Sequence, residues 1–93
     1  MISQLAQLND TELLALSSVL TEYINATRNF GSFNSAHEGY AVLMEEVDEL
    51  WDEVKVNQTK RDTSKMKKEA IQVTAMGMRF LVDIAMDKER IKV

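Results

Sequence analysis

Ser35-Ala36-His37-Glu38-Gly39-Tyr40-Ala41-Val42-Leu43-Met44-Glu45-Glu46-Val47-Asp48-Glu49-Leu50-Trp51-Asp52-Glu53-Val54 is the stretch that settles the fold class. Ser35 followed three residues later by Glu38 is the signature of a capping box, so a helix starts at Ala36. Ala36, Tyr40, Leu43, Val47, Leu50 and Val54 recur every three or four residues and predict one apolar stripe over about 36–56. The polar linker Asn57–Asp62 follows, and Asp62 or Thr63 caps a third helix expected to run to about Asp87. Its stripe is Met66, Ala70, Val73, Gly77, Phe80 and Ile84, with the same spacing. Matching stripes across a short linker predict an antiparallel helical hairpin. Upstream, Asn9 or Asp10 caps a helix to about Asn29, with Leu13, Leu16, Leu20 and Ile24 along one side and Gly31 as its stop. Residues 2–8 form a short helical lead-in. No period-two alternation occurs, so the expected fold is all-α: a helical hairpin plus an N-terminal helix, assembling into a four-helix-bundle-type homo-oligomer.

Ninety-three residues make one domain, spanning 1–93. A chain this short buries a modest core, which oligomerisation commonly supplements. The absence of cysteine excludes disulfides, zinc thiolates and thiol nucleophiles, and the single histidine, His37, excludes a two-histidine metal site. A net charge of −4 argues against a nucleic-acid polymer as partner. No basic-then-apolar leader and no membrane-length apolar run are present, so the expectation is a soluble cytoplasmic chain with no membrane partner. Charge is uneven: residues 1–54 carry net −9 and residues 55–93 net +5. An acidic half therefore precedes a basic turn and a basic tail.

The third helix has a second apolar side, Ile71, Met78, Leu81 and Ala85, opposite the first. A helix apolar on two sides is buried on two sides. The expectation is a homo-oligomer whose interface uses this helix; the alternative is closure by the N-terminal helix of the same chain. The methionines fill gaps in core and interface. Trp51 is assigned to oligomer packing in preference to base stacking, Phe30 and Phe33 to core anchoring in preference to a nucleoside wall, and His37 to a neutral surface or pocket-edge role.

Two acidic clusters carry the chemistry. On the second helix, with Leu43 at 0°, Glu45, Glu38, Glu49, Glu53 and Glu46 fall between about 200° and 300°. Like charges so placed repel, and a cation relieves that repulsion; lysines of the next helix are the alternative source of neutralisation. Glu45 or Glu46 lies about 4.5–6 Å along the axis from Glu49, within reach of one ion. Glu38, about 16 Å away, is assigned to the cap, and Glu53 is a candidate for a second ion. On the third helix Glu69 and Gln72 flank the Val73 seam. Asp83 lies about 16 Å beyond Gln72 and cannot replace a carboxylate there. Two such helices folded back on each other can share a divalent cation, and a hard ion such as Mg²⁺ wants oxygen ligands and keeps positions open for phosphates.

These residues resemble the all-α nucleoside triphosphate pyrophosphohydrolases of the MazG type. That family pairs E-E-x-x-E on one helix with E-x-x-D on the next. Glu45-Glu46-Val47-Asp48-Glu49 matches the first motif, and Glu69-Ala70-Ile71-Gln72 matches the second except at its last position. The nineteen residues between Glu49 and Glu69 suit the family, and the resemblance covers about residues 36–87. The wording His37-Glu38-Gly39-Tyr40 through Trp51, and Glu69 through Phe80, is similar to small phage- and prophage-type members. The resemblance implies a homodimer or homotetramer that hydrolyses a nucleoside triphosphate to monophosphate and pyrophosphate. It implies that Glu45, Glu46, Glu49 and Glu69, with the amide of Gln72, hold Mg²⁺ or Mn²⁺, with Glu45 as the residue that orients or deprotonates water.

Gln72 departs from the motif. An amide oxygen ligates Mg²⁺ but adds no charge. Three outcomes follow: weaker metal binding, a shifted ligand set, or nucleotide binding without turnover. A non-catalytic nucleotide- or metal-binding module and an oligomerising helical scaffold without a site are therefore the alternatives to an enzyme. Lys65 and Lys68, within one turn of Glu69, are candidates for substrate-phosphate contacts. Lys60 and Arg61 are assigned to solvating the turn and pairing with Asp52 or Glu53.

Overall fold

The structure, a computed structural model, describes residues 1–86. The expected third-helix end at Asp87 and the basic tail lie outside them. Four α-helices follow in chain order: α1 (Ile2–Leu5), α2 (Asp10–Phe30), α3 (Ala36–Val54) and α4 (Thr63–Phe80). The described residues contain no strand. No described helix is long and apolar enough to cross a membrane.

Each long helix starts where its side chains satisfy orphan N–H groups. Asn9 accepts from the Glu12 amide, and Glu12 accepts in turn from the Asn9 amide, completing a capping box. Ser35 accepts from the Glu38 amide. Glu38 reaches one residue further back than expected and accepts from the amide and side chain of Asn34. Asp62 accepts from the amides of Ser64 and Lys65. Gly31 ends α2 with φ of 70°, a conformation that favours glycine. The linker is more ordered than its polarity suggests. Gln58–Lys60 form a 3₁₀ turn capped by Asn57. Arg61 donates from Nε to the Val54 carbonyl at 2.8 Å, closing the end of α3 instead of meeting an acid.

Helix α4 is the central element, packing against both α3 and α2. Its two-sided apolar pattern is covered in part within one chain: Val19 and Tyr23 of α2 pack against the core that holds Ala26 and Ala75, while Leu81 is 50% exposed and Ala85 faces solvent.

The α3–α4 seam is also rotated from its expected line. Tyr40 is 60% exposed and Ala36 faces solvent, while Gly39 is buried. On α4 the buried residues are Ala75, Met76 and Arg79, not Ala70 or Gly77. The cause is a close approach at Gly39. A Cβ there would lie 2.8 Å from the Phe80 ring and 3.0 Å from the Phe33 ring. A residue with no side chain contributes nothing to a hydropathy stripe, yet here it sets which face turns inward.

Beyond Phe80 the helix widens into a π-helical turn, Leu81–Met86. Within it Ile84 is buried and Asp83 accepts from the Phe33 amide at 3.0 Å. Arg79 donates to the Gly31 carbonyl at 2.7 Å, and its guanidinium lies 4.2 Å from the centre of the Phe33 ring. The α2–α3 loop is thereby fastened to the end of α4.

Two glycines give opposite expectations for one substitution. Gly39→Ala should destabilise the fold by ~1–3 kcal/mol, because two aromatic rings must move. Gly77 has nothing within 4 Å of an added Cβ, so Gly77→Ala should stabilise by ~0.5–1 kcal/mol through helix propensity. Denaturant unfolding of both variants measures the two signs.

Candidate metal centre

The Gly39–Phe80 contact fixes the register of the antiparallel pair. Moving seven residues along α3 reaches Glu46, and seven back along α4 reaches Val73, beside Gln72. Three more bring Glu49 level with Ala70, beside Glu69. Carboxylates twenty or more residues apart in sequence therefore meet. One oxygen each from Glu46, Glu49 and Glu69 lies within 4.8 Å of the other two. Glu46 and Glu69 are half-buried and Glu49 is exposed. Cis and trans ligands of a Mg²⁺ ion, at about 2.1 Å each, stand roughly 3–4 Å apart.

Glu45 is not brought to this cluster. It is exposed on the neighbouring side of α3, and its charge reaches the site only as a repulsion felt by Glu46. Glu38 is committed to the N-terminal cap. Gln72 is half-buried and lines the same cavity as Glu46. Asp83 is committed to Phe33. Lys68 borders a groove between α2 and α4 with Lys67, Ser17, Ser18 and Ser64. Lys65 does not line that groove.

Electrostatics marks the cluster as unsatisfied. Burial, above all, pushes the Glu46 carboxyl up to about 7 from an ordinary 4.5, aided by repulsion from Glu49, proton sharing with Glu49, and the charges of Glu69 and Glu45. Glu69 is raised as well, by burial and then by its contact with Glu49; the nearby Lys68 opposes this and does not reverse it. Among the described residues no lysine forms an ion pair with Glu46, Glu49 or Glu69. The donor set is hard oxygen with excess negative charge, and that fits Mg²⁺ or Mn²⁺.

Sequence reasoning missed Arg79. It is a buried cation, 4% exposed, and it lines the cavity that Glu46 and Gln72 border. The one available signal was its place in α4, three residues after Met76 and one before Phe80, where a surface cation is not expected on a buried helix.

No family model, curated protein or solved structure matches the chain. The likeness to the MazG type rests on the motif residues alone.

Raised carboxyl values set a pH dependence with a definite sign. Between about 4.5 and about 7 the folded chain holds a proton on Glu46 that the unfolded chain has released. Metal-free stability should therefore be fully present below that window, fall as pH rises through it, and level off above it. Glu49→Gln should flatten the slope and raise the melting temperature at pH 8 by ~2–6 °C. Melting curves in chelator across pH 4–8 provide the check, and a flat wild-type profile contradicts it.

Proposed function

We propose that this chain is a Mg²⁺-dependent nucleotide pyrophosphohydrolase, cleaving a nucleoside triphosphate to the monophosphate and pyrophosphate. The observation that carries the reading is the convergence of Glu46, Glu49 and Glu69 from two helices onto a space within 4.8 Å. Their order and spacing along the chain, which resemble the MazG type, support it. Bound there, Mg²⁺ or Mn²⁺ would neutralise phosphate oxygens and stabilise charge at the α-phosphorus.

The chain's own residues supply the rest. Glu46, Glu49 and Glu69 would hold the ion, and their charge keeps that side of the site acidic. Lys67 and Lys68, with the serines of the α2–α4 groove, offset the charge of phosphates lying along it. Gln72 stands between this groove and the cavity around Arg79, since it lines both. Attack of water on the α-phosphorus breaks the α–β anhydride bond, and the proton released passes to a cluster carboxylate.

The same reading includes a homo-oligomer, dimer or tetramer. Leu13, Leu16, Leu20 and Ile24 form a stripe on α2 that is turned away from α4 and is more than one-third exposed. Tyr40 and Trp51 are more than half exposed on α3. The chain spans 53 × 35 × 19 Å, and its radius of gyration of 15.2 Å exceeds the ~12 Å of a compact chain this long. A second copy laid on these stripes would complete the bundle. Light scattering of the wild type should give a multiple of the 10.6 kDa chain mass. Leu16→Lys combined with Leu20→Lys should reduce it to the monomer.

A panel of nucleoside triphosphates with Mg²⁺ tests the reaction through pyrophosphate release. Glu69→Gln should lower kcat by at least about a hundredfold, as loss of one group that stabilises transition-state charge does. Folded protein silent across the panel rejects the enzyme. Gln72 favours one second reading, a non-catalytic nucleotide- or metal-binding module. Calorimetric Mg²⁺ binding without turnover, with activity appearing in Gln72→Asp, would establish it. If Mg²⁺ neither binds nor shifts the melting temperature, only a helical scaffold remains.

A further inference from the structure

We propose that the cavity around Arg79 holds the base of the nucleotide and selects one that carries both a ring carbonyl and an exocyclic amine. The inference rests on the hydrolase reading only for where the phosphates lie. The cavity, about 310 Å³, is at the small end of the range of ligand sites. Glu22, Phe30, Phe33, Gln72 and Arg79 line it, and Glu46 joins it to the acidic cluster.

Arg79 is the pointer to a ligand. Its guanidinium is permanently charged and offers five N–H donors. Nη2 is used on the Gly31 carbonyl, Nη1 meets only the Met76 sulfur, a weak acceptor, and Nε is buried with no partner. No carboxylate of the described residues forms an ion pair with it. A buried cation left in this state is costly unless something else accepts from it. The carboxylates that share the cavity do not move in to do so.

Glu22 is the complementary group. It is half-buried on α2 and makes no hydrogen bond among the described residues. Glu38, the other carboxylate of the wall, is occupied by Asn34. A flat ligand that accepts at Arg79 and donates to Glu22 satisfies both. Cytosine and guanine present a carbonyl and an amine, the groups that Arg and Glu pair with on base edges. Uracil and thymine offer Glu22 only a single ring N–H flanked by two carbonyls, whose oxygens repel the carboxylate, and adenine has no carbonyl for Arg79. The exposed Phe30 ring lies at the cavity wall, where it can stack on the base. Gln72, as both donor and acceptor, suits a base edge better than the aspartate of the MazG-type motif would.

Calorimetry of the full chain with CMP, GMP, UMP and AMP, without divalent metal, reads the cavity independently of turnover. CMP or GMP should bind at least about tenfold more tightly than UMP and AMP, because mismatched bases leave buried polar groups unpaired. Glu22→Gln should erase that preference and raise the affinity for UMP, with the melting temperature unchanged. Arg79→Lys should weaken all carbonyl-bearing bases; if it fails to fold, the Glu22 variant still decides. Equal affinities for the four, a preference surviving in Glu22→Gln, or no binding of any overturns the assignment. Base preference without pyrophosphate release from any triphosphate upholds the cavity and removes the hydrolase. Release without base preference does the reverse.

Discussion

The contact on which this fold depends is the Arg79 guanidinium held between the Gly31 carbonyl and the Phe33 ring. A charged group buried to this degree destabilises a core unless the surroundings compensate. Here a charge-assisted hydrogen bond, worth about 1.5–3 kcal/mol, and a desolvated cation–π contact, worth about 2 kcal/mol, do so in part. Asp83 adds a second tie to the same loop through the Phe33 amide. Together they determine where the chain emerges from α2 and where α3 begins. From that starting point Gly39 meets Phe80, and the register of α3 on α4 follows. The acidic cluster lies about ten ångströms further along and inherits its alignment from this corner.

Much of this arrangement could be read from the chain. Ser35, Asn9 and Asp62 announce the helix starts, because a capping side chain is a local, mechanistic signal. The clustering of Glu46, Glu49 and Glu69 follows from helical spacing and a short linker. What the pattern misplaced was rotation. Tyr40 was expected inside because hydropathy counts side chains, whereas the seam is set by Gly39, which has none. The second side of α4 was expected to meet either another copy or the N-terminal helix, and it is only partly covered, with Leu81 and Ala85 exposed. On α2 the small and mixed residues Val19, Tyr23 and Ala26 join the core, while Leu13, Leu16 and Leu20 stay more than one-third exposed. Arg79 was invisible for a related reason: its value depends on a carbonyl and a ring nearly fifty residues away. The π-helical turn from Leu81 has no composition signal at all, since nothing in Leu81–Met86 breaks an α-helix.

The charge segregation has a physical consequence that neither half has alone. The first half brings acids that face α4, and α4 begins with lysines. A simple neutralisation would leave Glu69 near its ordinary value, yet burial and Glu49 outweigh Lys68. The lysine chains border the α2 side of α4, while Glu46, Glu49 and Glu69 meet on its α3 side. One helix thus carries a groove bordered by Lys67 and Lys68 on one side and an anionic cluster on the other.

Gln72 fits this division better than a carboxylate would. At this level of α4 the neighbours already include Glu46 on one side and Glu22 on the other, both half-buried. A further negative charge would add repulsion to a cluster whose Glu46 proton is already retained to about pH 7. In a metal-free protein that charge would deepen the instability above neutrality. An amide keeps a polar oxygen for an ion or a base and adds an N–H donor, with no added charge to desolvate. The residue that breaks the motif therefore stands where the cavity and the cluster meet. There, hydrogen-bonding versatility matters more than one additional unit of negative charge.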